Sequence, residues 1–121
     1  MRFVNKIMYN EKAKIFKALS DPNRLKILKL LQEKTLCVCE IRSMLKLANS
    51  TVSQHLSVLK EVNLIVESKN GKWVHYSINP KPSNHIVASV LSMLILWLGD
   101  INSKPEDLAQ VTCASERKKC K

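Results

Sequence analysis

A mainly α-helical chain interrupted once by a β-hairpin, in the order α-α-α-α-β-β-α, is the architecture this sequence predicts. Three observations lead there. Apolar residues recur at helical spacing through most of residues 6–62. The period then changes to two on either side of Asn70-Gly71. A closing run from Ile86 to Leu98 is apolar almost without interruption.

Ile7, Ala13, Ile15, Phe16 and Leu19 give the first helix, over about residues 6–19. Ser20-Asp21-Pro22 resets the chain. Asp21 suits an N-cap, and Pro22 suits the first helical position because it has no amide hydrogen to leave unpaired there. Leu25, Leu28 and Leu30-Leu31 make the apolar face of this second helix, to about Gln32. A third helix is expected over 37–45, with Ile41, Met44 and Leu45 inward, and Asn49-Ser50 begins a fourth.

In that fourth helix Val52, Leu56 and Leu59 fall at i, i+4 and i+7, a buried stripe extended by Val62. Turning 100° per residue puts Ser50, Ser53, Gln54, Ser57 and Lys60 on the opposite side, with Thr51 nearer its edge. Small hydrogen-bonding side chains with a lysine suit a helix laid against base edges and phosphates; an ordinary solvated face would mix Glu with Lys. Two strand-like runs, 64–68 and 73–78, then flank Lys69-Asn70-Gly71-Lys72, where Asn-Gly predicts a type I′ hairpin turn. A basic hairpin directly after such a helix is a winged helix-turn-helix, with Lys69 and Lys72 on the wing. Pro80 and Pro82 end the second strand. The last helix, from about Asn84 to Ile101, is too apolar to be covered within one small domain, so a homodimer through the terminal helices is expected. Residues 1–102 form the DNA-binding and dimerisation domain, and residues 103–121 a flexible, cysteine-containing tail.

The chain carries 20 Lys and Arg against 10 Asp and Glu, a net charge of +10, which favours a polyanionic partner. The excess is +6 over residues 1–34, +3 over 35–82 and +1 beyond. A bilayer span needs about 20 apolar residues, more than the longest run supplies, and the opening Met1-Arg2-Phe3-Val4-Asn5-Lys6 is not a secretory signal. A cytoplasmic protein without a membrane partner follows, its four cysteines serving as reduced thiols or ligands. No histidine stands in recognisable relation to a nucleophile, and Gly71 and Gly99, the two glycines present, build no phosphate loop. An enzyme is not expected, nor an organic cofactor.

Leu36-Cys37-Val38-Cys39-Glu40-Ile41, Ser53-Gln54-His55-Leu56-Ser57-Val58-Leu59 and Gly71-Lys72-Trp73-Val74-His75-Tyr76 together resemble the ArsR/SmtB family of metal-responsive repressors, and most of all its arsenic-responsive branch. The resemblance covers about residues 11–80. It implies a homodimer that holds an inverted-repeat, double-stranded DNA operator when metal-free and releases it when As(III) or Sb(III) binds. Cys37 and Cys39 would be ligands. In the pattern resembled, a third cysteine follows three residues after the second, where this chain has Arg42; Cys113 or Cys120 could supply the missing sulfur.

Thiolates independently select thiophilic ions, and a helix N-terminus favours the thiolate. Residues i and i+2 of a regular helix point about 200° apart, so chelation by Cys37 and Cys39 predicts a frayed or ligand-distorted first turn, which would move the helix that follows. Ser50, Thr51, Ser53 and Gln54 are expected to make base or nearby phosphate contacts, with Ser57 on the same face and Lys60, Lys69 and Lys72 on phosphates. His85 and Asp100, near opposite ends of the last helix, lack the companions of a zinc site. His55 reads as structural and His75 as a packing or wing residue. Two alternatives keep the cysteines in play: a repressor with the same fold triggered by thiol oxidation or sulfide, and a soft-metal-binding protein without a DNA function.

Overall fold

The computed structural model describes residues 2–99, with side chains from Tyr9 onward. Cys113, Cys120, Asp100 and the expected boundary at 102 lie outside the described residues. The elements run α1 (Arg2–Leu19), α2 (Pro22–Glu33), β1 (Leu36–Cys37), α3 (Val38–Leu45), α4 (Asn49–Glu61), β2 (Ile65–Asn70), β3 (Trp73–Ile78) and α5 (His85–Leu98). Four helices, a hairpin and a closing helix therefore stand as expected. The addition is β1, a two-residue strand that makes the sheet three-stranded and antiparallel in the order β1-β3-β2.

Each junction has a local cause. Asp21 caps α2 through Oδ1, which accepts the amides of Asn23 at 2.8 Å and Arg24 at 3.3 Å, with Pro22 in the first turn. Partial desolvation works against ionisation of Asp21. The Asn23 and Arg24 amides, and then the charges of His55 and Arg24, outweigh it and hold the carboxyl below its usual range. A depressed carboxyl stabilises the fold fully above its unfolded-state pKa and loses that contribution as pH falls through the lower folded value. Acid unfolding of Asp21→Asn, which can still accept the amides, should therefore be less steep than wild type below about pH 4. Circular dichroism across that range checks it, and identical profiles would exclude the role.

α4 ends in a Schellman arrangement. The Leu64 amide donates to Leu59 carbonyl at 3.2 Å and the Asn63 amide to Lys60 carbonyl at 3.0 Å, with Asn63 left-handed at φ 66°. Asn79 then closes the base of the wing, its amide donating to Leu64 carbonyl and its Nδ2 to Asn63 carbonyl. At the wing tip, Asn70 pairs with Trp73, so the two turn residues are Gly71 and Lys72. Positive φ occurs at Gly71 alone in this turn, the pattern of type II′, not the type I′ expected from Asn-Gly. The register, fixed by Ile65 opposite Ile78, shifts the turn by one residue.

The core gathers Ile27, Leu28 and Leu31 of α2, Leu36 of β1, Ile41 of α3, Val52, Leu56 and Leu59 of α4, Leu64 and Ile65, and Val87, Leu91, Leu94 and Leu98 of α5. On α5 this leaves Ile95, Leu96 and Trp97 exposed. No helix among the described residues is long and apolar enough to cross a membrane.

Candidate functional site

α3, the turn at residues 46–48 and α4 form the helix-turn-helix. Burying Val52, Leu56 and Leu59 turns the other side of α4 outward, so Ser50, Ser53, Gln54, Ser57 and Lys60 are exposed and Thr51 is half-buried at the margin. Lys69 and Lys72 are likewise exposed on the wing. The seven exposed residues and Thr51 thus occupy one helix face and the hairpin that follows it. Glu61, on the same outer side at the end of α4, lies 3.7 Å from Lys14 of α1.

Lys60 also makes an ion pair that its sequence position does not announce. Its Nζ lies 2.7 Å from Glu67 Oε1 on β2. This hydrogen bond from Lys60 is the main cause holding the Glu67 carboxyl below its usual range, and Tyr76 of β3 adds a further one. Desolvation, followed by the Glu67 charge and hydrogen bond, raises the Tyr76 phenol. The trio fastens the end of α4 to both wing strands, at the cost of one positive charge facing outward. Each phosphate neutralised contributes about 0.9 to the salt slope of binding to duplex DNA. Glu67→Gln should therefore free Lys60 and steepen that slope by about one unit. An unchanged slope in a salt titration of operator binding would mean that Lys60 does not reach a phosphate.

A second contact escaped the sequence altogether. The Arg24 guanidinium donates to the last carbonyls of α1, from Nε to Ala18 at 2.8 Å and from Nη2 to Lys17 at 3.1 Å. Its Nη1 lies 3.2 Å from His55 Nδ1 on α4. Arginine can only donate, so in this contact Nδ1 accepts whenever the ring is neutral. His55 is structural, as expected, but its partner lies in α2, a pairing that no spacing in the chain announces.

Cys37 and Cys39 are both buried, at 3% and 2% exposure. The expected conflict between them is corrected by the fold. Cys37 is the N-cap of α3, extended at φ −95°, ψ 170°, and the end of β1, whereas Cys39 is in the helix. Helical geometry does not force the two sulfurs apart, and no frayed turn is needed. Cys37 takes the Ser/Thr place in a capping box with Glu40, whose Oε1 accepts the Cys37 amide at 2.9 Å. Glu40 is itself buried, in the first turn of α3.

As donors, two thiols fit a thiophilic ion and not an oxygen-seeking one. Among the described residues no three His, Cys, Asp or Glu side chains are already gathered around one point, so the cysteines are not part of a preformed cage there. Arg42, one turn further on, is half-buried, and its Nε is enclosed with no hydrogen-bond partner in the described structure. His85 opens α5 as an exposed residue.

A helix-turn-helix with a wing, a hydroxyl-rich outer face and an adjoining basic hairpin define a winged helix-turn-helix transcriptional regulator, a class that binds DNA and is not enzymatic. Residues 21–66 match the family described as "Bacterial regulatory protein, arsR family". The arsenic resistance transcriptional regulator ArsR1 of Pseudomonas putida is 30% identical over 111 residues, covering 83% of this chain and 85% of that one. A cadmium resistance regulatory protein CadC homolog of Staphylococcus aureus is 40% identical over 76 residues, 62% and 63% of the two chains. Among solved structures, HlyU from Vibrio cholerae superposes with a TM-score of 0.62 at 28% identity, over 75% of this chain and 91% of that one. The chain belongs to the arsR family of transcriptional regulators.

Proposed function

We propose that this protein is a homodimeric repressor that occupies an inverted-repeat operator and releases it when trivalent arsenic or antimony binds Cys37 and Cys39. Cys113 or Cys120 would complete a three-sulfur set. The observation that carries the reading is that one short unit bears both functions. The two sulfurs stand at the N-cap and second position of α3, and α3 leads through residues 46–48 into the outward-facing hydroxyls of α4. A ligand that draws the sulfurs together acts directly on the helix that supports the DNA-reading one. The names of the arsenic and cadmium resistance relatives agree with a thiophilic inducer.

Dimerisation is supported by α5. Ile86, Val90, Met93 and Trp97 recur at i, i+4, i+7 and i+11, beside the buried row Val87, Leu91, Leu94 and Leu98. Trp97 is 60% exposed in the single chain, a cost that a second copy would remove. Two copies related by a twofold axis would read an inverted repeat, in the cytoplasm where such an operator lies.

The test is fluorescence anisotropy of labelled operator under reducing, anaerobic conditions, titrated with arsenite, antimonite and cadmium. Release by the trivalent ions at lower concentration than by cadmium supports the reading; no release by arsenite or antimonite refutes it. A second reading keeps the fold and the same two cysteines but makes thiol oxidation the trigger. Release by an oxidant that dithiothreitol reverses, together with indifference to arsenite, would select it.

A further inference from the structure

Arg24 is held through its backbone and through its side chain. Its amide donates to the Asp21 cap at 3.3 Å, in the first turn of α2. Its guanidinium presents five N–H donors in one planar fork. Nε and Nη2 reach the end of α1, at Ala18 carbonyl 2.8 Å and Lys17 carbonyl 3.1 Å away. The last carbonyls of a helix lack an amide one turn on and lie at its negative pole, so a cation is favoured there. The remaining nitrogen, Nη1, lies 3.2 Å from His55 Nδ1 on α4, which is the acceptor when the ring is neutral. One side chain thus joins α1, α2 and α4.

On α4, His55 is half-buried between the inner row Val52, Leu56 and Leu59 and the outward Gln54. Thr51, at the margin of the DNA-reading face, lies one turn before it on the same side. Holding His55 therefore fixes the rotation of α4 about its own axis, and with it the direction of Ser53 and Gln54. Apolar packing keeps α4 seated but is non-directional, whereas a hydrogen bond from a planar fork selects one rotation. Lys14 and Glu61, which also link α1 to α4, are 3.7 Å apart with side chains 64% and 68% exposed, and such a pair holds little.

We infer that Arg24 and His55 are positioning residues for operator recognition: their contact fixes α4 against the end of α1, and so sets the separation and facing of the two DNA-reading helices in the dimer. The inference rests on the homodimer reading above, in which the terminal helices α1 and α5 meet the second copy. On α1, Tyr9 and Phe16 stand seven residues apart on one outer face, 71% and 68% exposed, as that reading requires. Half-sites of a twofold regulator lie about 10–10.5 base pairs apart, so one inserted pair moves a half-site by about 3.4 Å and turns it by about 35°. A fixed pair of reading helices rejects that duplex, and a loosened pair tolerates it.

The test uses the full chain, reduced, with a duplex selected from a random-sequence pool on the wild-type protein and a second duplex carrying one base pair inserted at its centre. Wild type should prefer the first. His55→Ala removes the acceptor and should lower that preference by about tenfold, or about 1.4 kcal/mol, the scale of one hydrogen bond to a charged group. His55→Asn places Oδ1 where Nδ1 stands and should hold the preference within about threefold of wild type, under about 0.7 kcal/mol. Arg24→Lys keeps the charge without the planar fork and should lose the preference as His55→Ala does. A wild-type preference in His55→Ala overturns the inference. So do equal losses in His55→Ala and His55→Asn with a lowered Tm, which would make His55 a packing residue only. Should Arg24→Lys fail to fold, the two His55 variants decide. Indifference of the wild type itself to the insertion would instead bring down the homodimer reading on which the inference rests.

Discussion

Cys37→Ser is expected to bind operator as tightly as wild type and to need about 100-fold more arsenite, or above, for half-release. That factor corresponds to about 2.7 kcal/mol of lost ligand binding. Moving a two-state equilibrium from about 99:1 to 1:99 takes about 5.5 kcal/mol of differential affinity. Losing about half of it would leave the operator roughly half-occupied where the wild type has let go. The substitution separates ligation from folding because of where Cys37 sits. Serine is among the preferred N-cap residues and keeps the capping box with Glu40, so α3 should be no weaker than before. Cys39→Ser, inside the helix, should lose the response equally. Operator release at wild-type arsenite concentrations by either variant would remove that cysteine from the ligand set.

Leu56→Ala is expected to cost about 2–5 kcal/mol of stability. Leu56 is 1% exposed, on the inner face of α4, in the cluster that holds α4 against α2 and the sheet. Domains of this size hold about 5–15 kcal/mol in total, so the Tm should fall by many degrees and operator binding should disappear with the fold. Gln54→Ala, two residues away but on the exposed face, provides the contrast. It should change stability by less than about 0.5 kcal/mol while weakening operator binding. A scanning-calorimetry Tm for Leu56→Ala close to wild type would mean that α4 is not seated as described. Similar Tm losses in both variants would contradict the division of its faces.

The helices were legible because each carries its signal within one or two turns. Asp21-Pro22 announces the start of α2, and Val52, Leu56 and Leu59 tell which way α4 must lie. Where an expectation missed, the deciding interaction was remote. Leu36 and Cys37 are too few for any period, and they become a strand only because Tyr76 and His75 arrive beside them. The wing turn moved by one residue because cross-strand register, not Asn-Gly alone, chose its centre. The Glu67 partner of Lys60 went unseen because nothing nearby in sequence shows that Glu67 will fold back onto it at 2.7 Å.

By itself, then, the sequence determined the order of elements, the family, the buried stripe of α4, the exposed hydroxyls and lysines, and the pair of cysteines in front of them. These depend on local periodicity, capping and composition, which short stretches of chain express without help. Tertiary structure decided what the cysteines stand beside. It made Cys37 a strand end and a helix cap, removed the angular conflict with Cys39, set His75 across from it and spent the charge of Lys60 on Glu67. The physical reason is the same each time: a side chain's chemistry depends on neighbours in space, and strand pairing brings together residues that the chain holds far apart.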